Sequence, residues 1–367
     1  MAEGILLADK MQKSYVIKIG TNVLTNADGE LDLPHLKHLV KQVAYLRQEG
    51  HQVILVSSGA VGAGQKIIPS LNSKNRVVRR QVYASVGQIQ IMQLYSMEFN
   101  RHDLHVGQVL ATREDFRDRR HYTHMRNCVV ALIEANLIPI INENDVVSVD
   151  ELMFTDNDEL AGLVSAMMNA DELWILTNVD GVLNGAPDSE ESSVITEIEP
   201  DDLSIEKFLH PTRSNFGRGG MHTKVRVARK TAKLGITTRI LPGKIPNVIK
   251  KVAAGDTIGT RFRGGKRMSN VKRWIGHAEK ESEASVIINQ GAEDALRSKE
   301  RSSSLLPIGI VGLEGQFKKG DIVKIVNENS ETIALGRAQY GSKRAKQLIG
   351  KQGSRPLVHY DYLLLLL

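Results

Sequence analysis

Cysteine is almost absent from this chain of 367 residues, where Cys128 stands alone. A single thiol excludes an internal disulfide framework and any zinc site built on paired cysteines, and it suits a reducing compartment. Long apolar runs are missing too. No window approaches the roughly 20 residues that a membrane-spanning helix needs, and Leu363 to Leu367 form far too short a run. The Ile5-Leu6-Leu7-Ala8 patch is flanked by Glu3 and Asp9 with no longer apolar core behind it, so no secretory signal is expected there. A cytoplasmic protein is the expectation. Nor does one sign of charge prevail, since 48 Lys+Arg against 42 Asp+Glu leave +6, too little to demand a nucleic-acid partner. Neither the phosphate-binding pattern G-x-x-x-x-G-K-[ST] nor the protein-kinase catalytic-loop pattern occurs.

What is present is ordinary globular material, 41% hydrophobic and 25% charged, in a length that suits two domains. After an N-terminal extension (1–14), Tyr15-Val16-Ile17-Lys18-Ile19 reads as a buried strand running into Gly20-Thr21-Asn22. Leu36, Leu39, Val40, Val43 and Leu46 then recur at helical spacing between Pro34 and Gly50, and Val53 to Val56 is a second strand ending in Ser57-Ser58-Gly59-Ala60. The alternation continues with a helix over 77–99, a strand over 106–110, a helix over 122–135 and a strand over 137–141 that leads into Asn142-Glu143-Asn144-Asp145. Asp156-Asn157-Asp158 is an N-cap cluster for a helix through Met168, and the strand Leu173 to Thr177 ends at Asn178. Strand and helix taking turns predict an α/β domain over 15–262, with an open, mostly parallel sheet in a three-layer arrangement. Each polar cluster follows the carboxyl end of a strand, and in such a sheet those ends line the ligand crevice.

Gly217-Arg218-Gly219-Gly220-Met221-His222-Thr223-Lys224 precedes a further helix. Glycines let backbone amides approach a ligand, and a helix start offers unpaired N–H groups and the positive end of a dipole, which together suit a phosphate. Lys224 sits one turn into that helix. Lys18, in the middle of an apolar strand, is the second cation, and two lysines can flank a transferring phosphoryl group. The texture changes after about Gly255. A linker is expected over 263–271 and a small β-rich domain over 272–367, with short strands near 285–288, 309–312, 321–326 and 332–335 and a last one among the terminal leucines. From Val271 onward there are 15 Lys+Arg and 11 Asp+Glu, a net of +4, leaving +2 for the rest.

Taken together, Lys18-Ile19-Gly20-Thr21, Ser57-Ser58-Gly59-Ala60, Val86-Gly87-Gln88, Asn142-Glu143-Asn144-Asp145, Asp156-Asn157-Asp158 and Gly217-x-Gly219-Gly220-Met221-x-Thr223-Lys224 resemble the amino-acid kinase family. Through Lys272-Arg273-Trp274-Ile275 and Ser303-Ser304-Leu305-Leu306-Pro307 the likeness runs on into a tail that resembles a PUA domain. In order and spacing they resemble the branch of that family that phosphorylates the side-chain carboxylate of L-glutamate at the expense of ATP, and the resemblance implies a transferase opening proline biosynthesis.

That resemblance implies the following roles. Lys18 and Lys224 would neutralise the γ-phosphoryl group, with Asp158 holding both. Ser58, Asp145 and Asn157 would bind glutamate with Asn142 nearby, Asp145 facing the substrate ammonium. Lys18, Thr177, Asn178, Arg218, Gly219, Gly220, Met221, His222, Thr223 and Lys224 would hold the nucleotide. ATP with Mg²⁺, the ion bound mainly through the phosphates and with no protein metal site expected, would be the cofactor set. Feedback inhibition by proline and a homo-oligomer are further implications. The chain departs from the pattern at Asn178, where aspartate is usual, at Arg218, where threonine is usual, and at Thr155, where glycine is usual; the tail is also short between Ile349 and Pro356. Two competing readings remain. One is a sister kinase acting on aspartate, N-acetylglutamate, carbamate or a nucleoside monophosphate. The other is an RNA-binding protein using Lys343-Arg344-x-Lys346, disfavoured by the weak charge and scarce aromatics of the tail.

Overall fold

The computed structural model describes residues 12–147, 156–185, 189, 191–202, 204–208, 220–266, 272, 275, 284–298 and 303–366. Contacts divide the chain into two units, Met1–Arg267 and Met268–Leu367. In the first, the order is β1 (Ser14–Ile19), α1 (Thr21–Leu24), α2 (Leu33–Gln48), β2 (Gln52–Ser57), α3 (Ala60–Ile67), α4 (Arg76–Asn100), β3 (Val106–Ala111), α5 (Arg113–Arg117), α6 (Arg119–Glu134), β4 (Ile138–Glu143), α7 (Asn157–Met168), β5 (Glu172–Thr177), β6 (Glu197–Ile198), α8 (Met221–Lys233), β7 (Thr237–Pro242), α9 (Val248–Ala254) and β8 (Thr260–Phe262). Eight strands form one sheet in the order β3-β4-β2-β1-β5-β7-β8-β6. Every pairing is parallel except β7 with β8.

Strand β1 lies in the middle and is buried along its length, which is why it reads as a continuous apolar run. Ile17 and Ile19 pack into the cluster made with Leu36, Leu39 and Val43 of α2 and with Tyr95 and Phe99 of α4. Side chains alternate along a strand, so Lys18 points to the opposite face, the one that α7 covers. Parallel register then aligns the strand ends. Ile19 is opposite Ser57 on one side and Leu176 on the other, so Lys18, Ser57 and Thr177 all arrive at one edge of the sheet.

Caps set several helix starts. Asp32 accepts from His35 N at 3.0 Å, Asn75 from Val77 N at 2.9 Å, and Asp118 from Arg120 N at 2.7 Å. The Asp118 cap starts α6 three residues before the expected position 122. The strand expected to end at 141 continues to Glu143, because β3 extends the ladder by pairing Leu110 with Asn142 and Ala111 with Glu143. Asn142 and Glu143 are therefore strand residues rather than the start of a turn. Helices α3 and α4 cross with backbones in contact: a Cβ on Gly87 would lie 1.8 Å from Ala60 O, and one on Gly64 1.8 Å from Tyr83 O. No residue larger than glycine fits that crossing.

The second unit holds β9 (Ser285–Ile288), α10 (Gln290–Arg297), β10 (Ile310–Glu314), β11 (Ile322–Asn327), β12 (Thr332–Arg337), α11 (Ser342–Leu348) and β13 (Leu363–Leu365). Its sheet runs β10-β9-β11-β12-β13, antiparallel apart from β9 with β11. Two helices, α10 and α11, fall between the expected strands, over stretches for which no element was expected. Each is short, and Asn289 caps α10 by accepting from Ala292 N at 2.9 Å. Val286, Ile288, Val323, Ile325, Leu357 and Val358 are buried at the centre of this unit.

Candidate active site

A cleft of about 1000 Å³ opens at the carboxyl ends of β1, β2, β4 and β5. Its floor is an ion triad. Lys18 Nζ lies 2.6 Å from Asp158 Oδ1 and Lys224 Nζ 2.9 Å from Asp158 Oδ2. Asp158 is fully buried in the first turn of α7, Lys18 is the last residue but one of β1, and Lys224 comes from the first turn of α8. Residues 18, 158 and 224 thus meet because the sheet brings one strand end and two helix starts together. Burial by itself would raise the Asp158 carboxyl; the two ammonium groups outweigh it and hold it down at about 2.

Asp156 caps α7, its Oδ1 accepting from Asp158 N at 3.0 Å and from Glu159 N at 3.1 Å. Its Oδ2 is buried without a hydrogen-bond partner among the described residues. Burial first, and the neighbouring Asp158 carboxylate second, push Asp156 up to about 6, against the pull of Lys18 and Lys224. Two carboxylates two residues apart therefore sit on opposite sides of the ordinary value, a division set by which of them the lysines touch.

The amide group of Asn157 forms the next layer, its Nδ2 lying 2.8 Å from Ser58 Oγ, 2.9 Å from Asn142 Oδ1 and 3.1 Å from Ser57 O. Asn142 Nδ2 in turn donates to Gln88 Oε1 at 2.8 Å. This ties α4, β2, β4 and α7 together around one corner of the cleft. Gly59, at φ +101°, takes the left-handed turn that ends β2 and starts α3 beside Ser58. Asp145 lies in the same corner and is bound by Arg80 of α4, whose Nε is 3.0 Å from Asp145 Oδ1. Burial raises the Asp145 carboxyl, partly countered by that guanidinium.

On the other side of the triad are Thr177 and Asn178 after β5, and Gly220 and Met221 at the start of α8. Gly220, the residue before α8, makes no side-chain cap among the described residues, in contrast to Asp156 before α7, and it lines the cleft with Met221. Lys244, beyond β7, also lines the cleft and donates to Thr25 O at 2.9 Å and to Asp32 Oδ2 at 3.1 Å.

Of the residues expected from the sequence, Lys18, Ser58, Asn142, Asp145, Asn157, Asp158, Thr177, Asn178, Gly220, Met221 and Lys224 all line this one cleft. His222 and Thr223 belong to the first turn of α8. Thr155, Gly217, Arg218 and Gly219 lie outside the described residues, as do Arg273 and Trp274. Arg80, Asp156 as a titrating group, and Lys244 were not anticipated. For Arg80 a signal existed: it precedes Gln88 by eight residues, which places both on one helix face, and Gln88 belongs to a motif already singled out.

Residues 13–242 match the amino acid kinase family and residues 284–359 the PUA domain. A solved carbamate kinase from Giardia lamblia, bound to AMP-PNP, shares the fold with TM-score 0.52 and 20% identity, covering 70% of this chain and 99% of its own. Fold and site together define a phosphotransferase of the amino acid kinase class. Two curated glutamate 5-kinases extend the likeness over both units. That of Chlorobaculum tepidum is 44% identical, covering 96% of this chain and 97% of its own, and that of Bacteroides thetaiotaomicron is 45% identical, covering 95% and 97%. The chain belongs to the glutamate 5-kinase family.

Proposed function

We propose that this protein transfers the γ-phosphoryl group of ATP to the side-chain carboxylate of L-glutamate, giving L-glutamyl 5-phosphate and ADP, the step that opens proline biosynthesis. The observation that carries the reading is the triad: two buried lysines held on Asp158 at 2.6 and 2.9 Å, between an asparagine and carboxylate corner on one side and the start of α8 on the other. A glutamate side chain, with an ordinary pKa of about 4.3, is already ionised at neutral pH. Its oxygen attacks phosphorus as the bond to the bridging oxygen of ADP breaks, so no general base is required. What opposes the reaction is repulsion between two anions. Lys18 and Lys224 would meet the charge of the γ-phosphoryl group, and Asp158 keeps both in place without neutralising the pair.

Ser58, Asn142, Asn157 and Asp145 would hold glutamate, with Asp145 accepting from its ammonium group. Thr177, Asn178 and the backbone at Gly220 and Met221 would hold the nucleotide, its phosphates against the start of α8. Among the described residues no three acidic, histidine or cysteine side chains converge to hold a metal. Mg²⁺ would arrive with the phosphates, which would supply most of its ligands, and its charge would further offset that of the phosphates. No helix among the described residues is long and apolar enough to cross a membrane.

An ATP-dependent assay in hydroxylamine, which traps an acyl phosphate as the hydroxamate, tests the reading. Product is expected with glutamate and not with aspartate or N-acetylglutamate. Absence of product with glutamate, or equal product with N-acetylglutamate, would overturn it.

A further inference from the structure

Glutamate brings three charges into the cleft, and the residues given roles so far meet only two of them. The lysine triad receives the reacting carboxylate and its phosphoryl donor, and Asp145 receives the ammonium. The α-carboxylate is left over. Four cationic side chains line the cleft among the described residues: Lys18, Lys224, Lys244 and Arg80. Two are engaged on Asp158, and Lys244 is tied to Thr25 O and Asp32 beside the α1–α2 turn. Arg80 alone stands at the substrate corner. Its Nε is 3.0 Å from Asp145 Oδ1, its Nη2 also contacts that oxygen, and Nη2 lies 3.7 Å from Glu143 Oε2.

We propose that Arg80 is the receptor for the substrate α-carboxylate, and with Asp145 forms a paired recognition unit for the zwitterionic end of the amino acid. This rests on the glutamate reading above. A guanidinium carries five N–H donors in a fixed plane, so it can keep Asp145 on one edge and still present donors to a second carboxylate. Glu143, the last residue of β4, and Asp145, just beyond it, hold the guanidinium where α4 delivers it. Arg80 is partly exposed, with 28% of its side chain accessible, as expected of a group that must meet an incoming ligand. Its place beside Asp145 has a chemical consequence: an amine without an α-carboxylate would leave a guanidinium facing the cleft without its anion.

The test pairs a substrate change with a side-chain change. ADP release is followed for the parent protein, Arg80→Gln and Arg80→Lys, with L-glutamate and with 4-aminobutyrate, which is glutamate with hydrogen in place of the α-carboxylate. Arg80→Gln should lower kcat/KM for glutamate on the order of 100-fold, through KM, with the KM for ATP unchanged. The rate with 4-aminobutyrate should fall by much less, since only the support to Asp145 is lost there, so the preference for glutamate collapses. Arg80→Lys should retain part of the preference, and it carries the test if the glutamine variant does not fold. Equal losses with both substrates would show that Arg80 acts only by steadying Asp145, and would overturn the assignment. If neither form turns over 4-aminobutyrate, its Ki as a competitor of glutamate decides: a KM for glutamate that rises more than this Ki supports the assignment, and equal rises overturn it. Should the parent itself form no product from glutamate, the underlying reading fails and this one with it.

Discussion

The central strands carry two charge clusters of the same stoichiometry, one at each end. At the carboxyl ends, Lys18 and Lys224 close on Asp158. At the amino ends, Lys13 and Arg239 close on Glu172, each at 3.1 Å, and Trp174 Nε1 adds a third donor at 2.9 Å. In each, two cations share one carboxylate that burial alone would raise and its partners pull down. Only the first lines the cleft. Glu172 is saturated by its donors, and Lys13 is 47% exposed, an ammonium spent on water and one ion pair. Asp158 and its lysines are nearly dry and sit where strand ends give way to helix starts, with room for a ligand above them. Charge composition does not make the site. The direction of the sheet does, because helix N-termini and short turns gather at the carboxyl ends of parallel strands.

Breaking each cluster should separate them. The largest effect is expected from Asp158→Asn, which leaves two buried ammonium groups facing each other: about 3–5 kcal/mol of stability should be lost in denaturant unfolding. Unaltered stability would mean that the lysines do not depend on Asp158. Next comes Lys224→Ala, which should cost about 3–4 kcal/mol of transition-state stabilisation, a fall of some 10²–10³ in kcat. A variant with near-normal turnover removes Lys224 from the chemistry.

A pH profile sharpens the contrast within the upper cluster, where the two carboxyl groups are shifted in opposite directions. Asp156, raised from 3.8 to about 6, binds a proton in the folded state before the unfolded chain does. Its contribution is greatest below pH 4 and is lost as pH rises through 6. Asp158, lowered to about 2, contributes above pH 4 and loses that contribution as pH falls toward 2. Stability should therefore rise between pH 7 and 4.5 by about 2 kcal/mol at most from this site, and Asp156→Asn should flatten that segment. Parallel profiles for the variant and the parent would exclude the coupling. Smallest of all, Lys13→Ala should change stability by about 0–1 kcal/mol, given its exposure, and leave kcat as it was. A clear loss of activity would tie the lower cluster to catalysis and erase the distinction.

Much of this was legible before the fold. The apolar run with a lysine inside it, the polar clusters following strand after strand, and the glycine run before Lys224 each carry a local physical reason, and local reasons survive in a linear sequence. Asp156 reads as a cap from its position before α7, and it is one. Its raised pKa does not read the same way, because that depends on Asp158 and on burial beneath elements distant in the chain. For Arg80 the spacing from Gln88 hinted at the site, but its partner was hidden for a similar reason, since nothing within α4 announces that Asp145, 65 residues on, will sit beneath it. The helices α10 and α11 were missed because each is under nine residues, too short for a period of 3.6 to declare itself among glycines and polar residues.

What the sequence determined by itself was the set of chemical groups and their local settings: which residues end strands, which cap or start helices, and which lysine is forced into an apolar strand. Those follow from alternation, capping and glycine geometry, all of which act within a few residues. Only the tertiary structure decided which of two similar lysine and carboxylate clusters faces a ligand. It also decided that Asp158 rather than Asp156 takes both lysines, and that Arg80 joins Asp145. Those outcomes depend on burial and on charges brought within a few ångströms from positions as far apart as 18, 158 and 224, and the energy of each exists only once the sheet has closed around them.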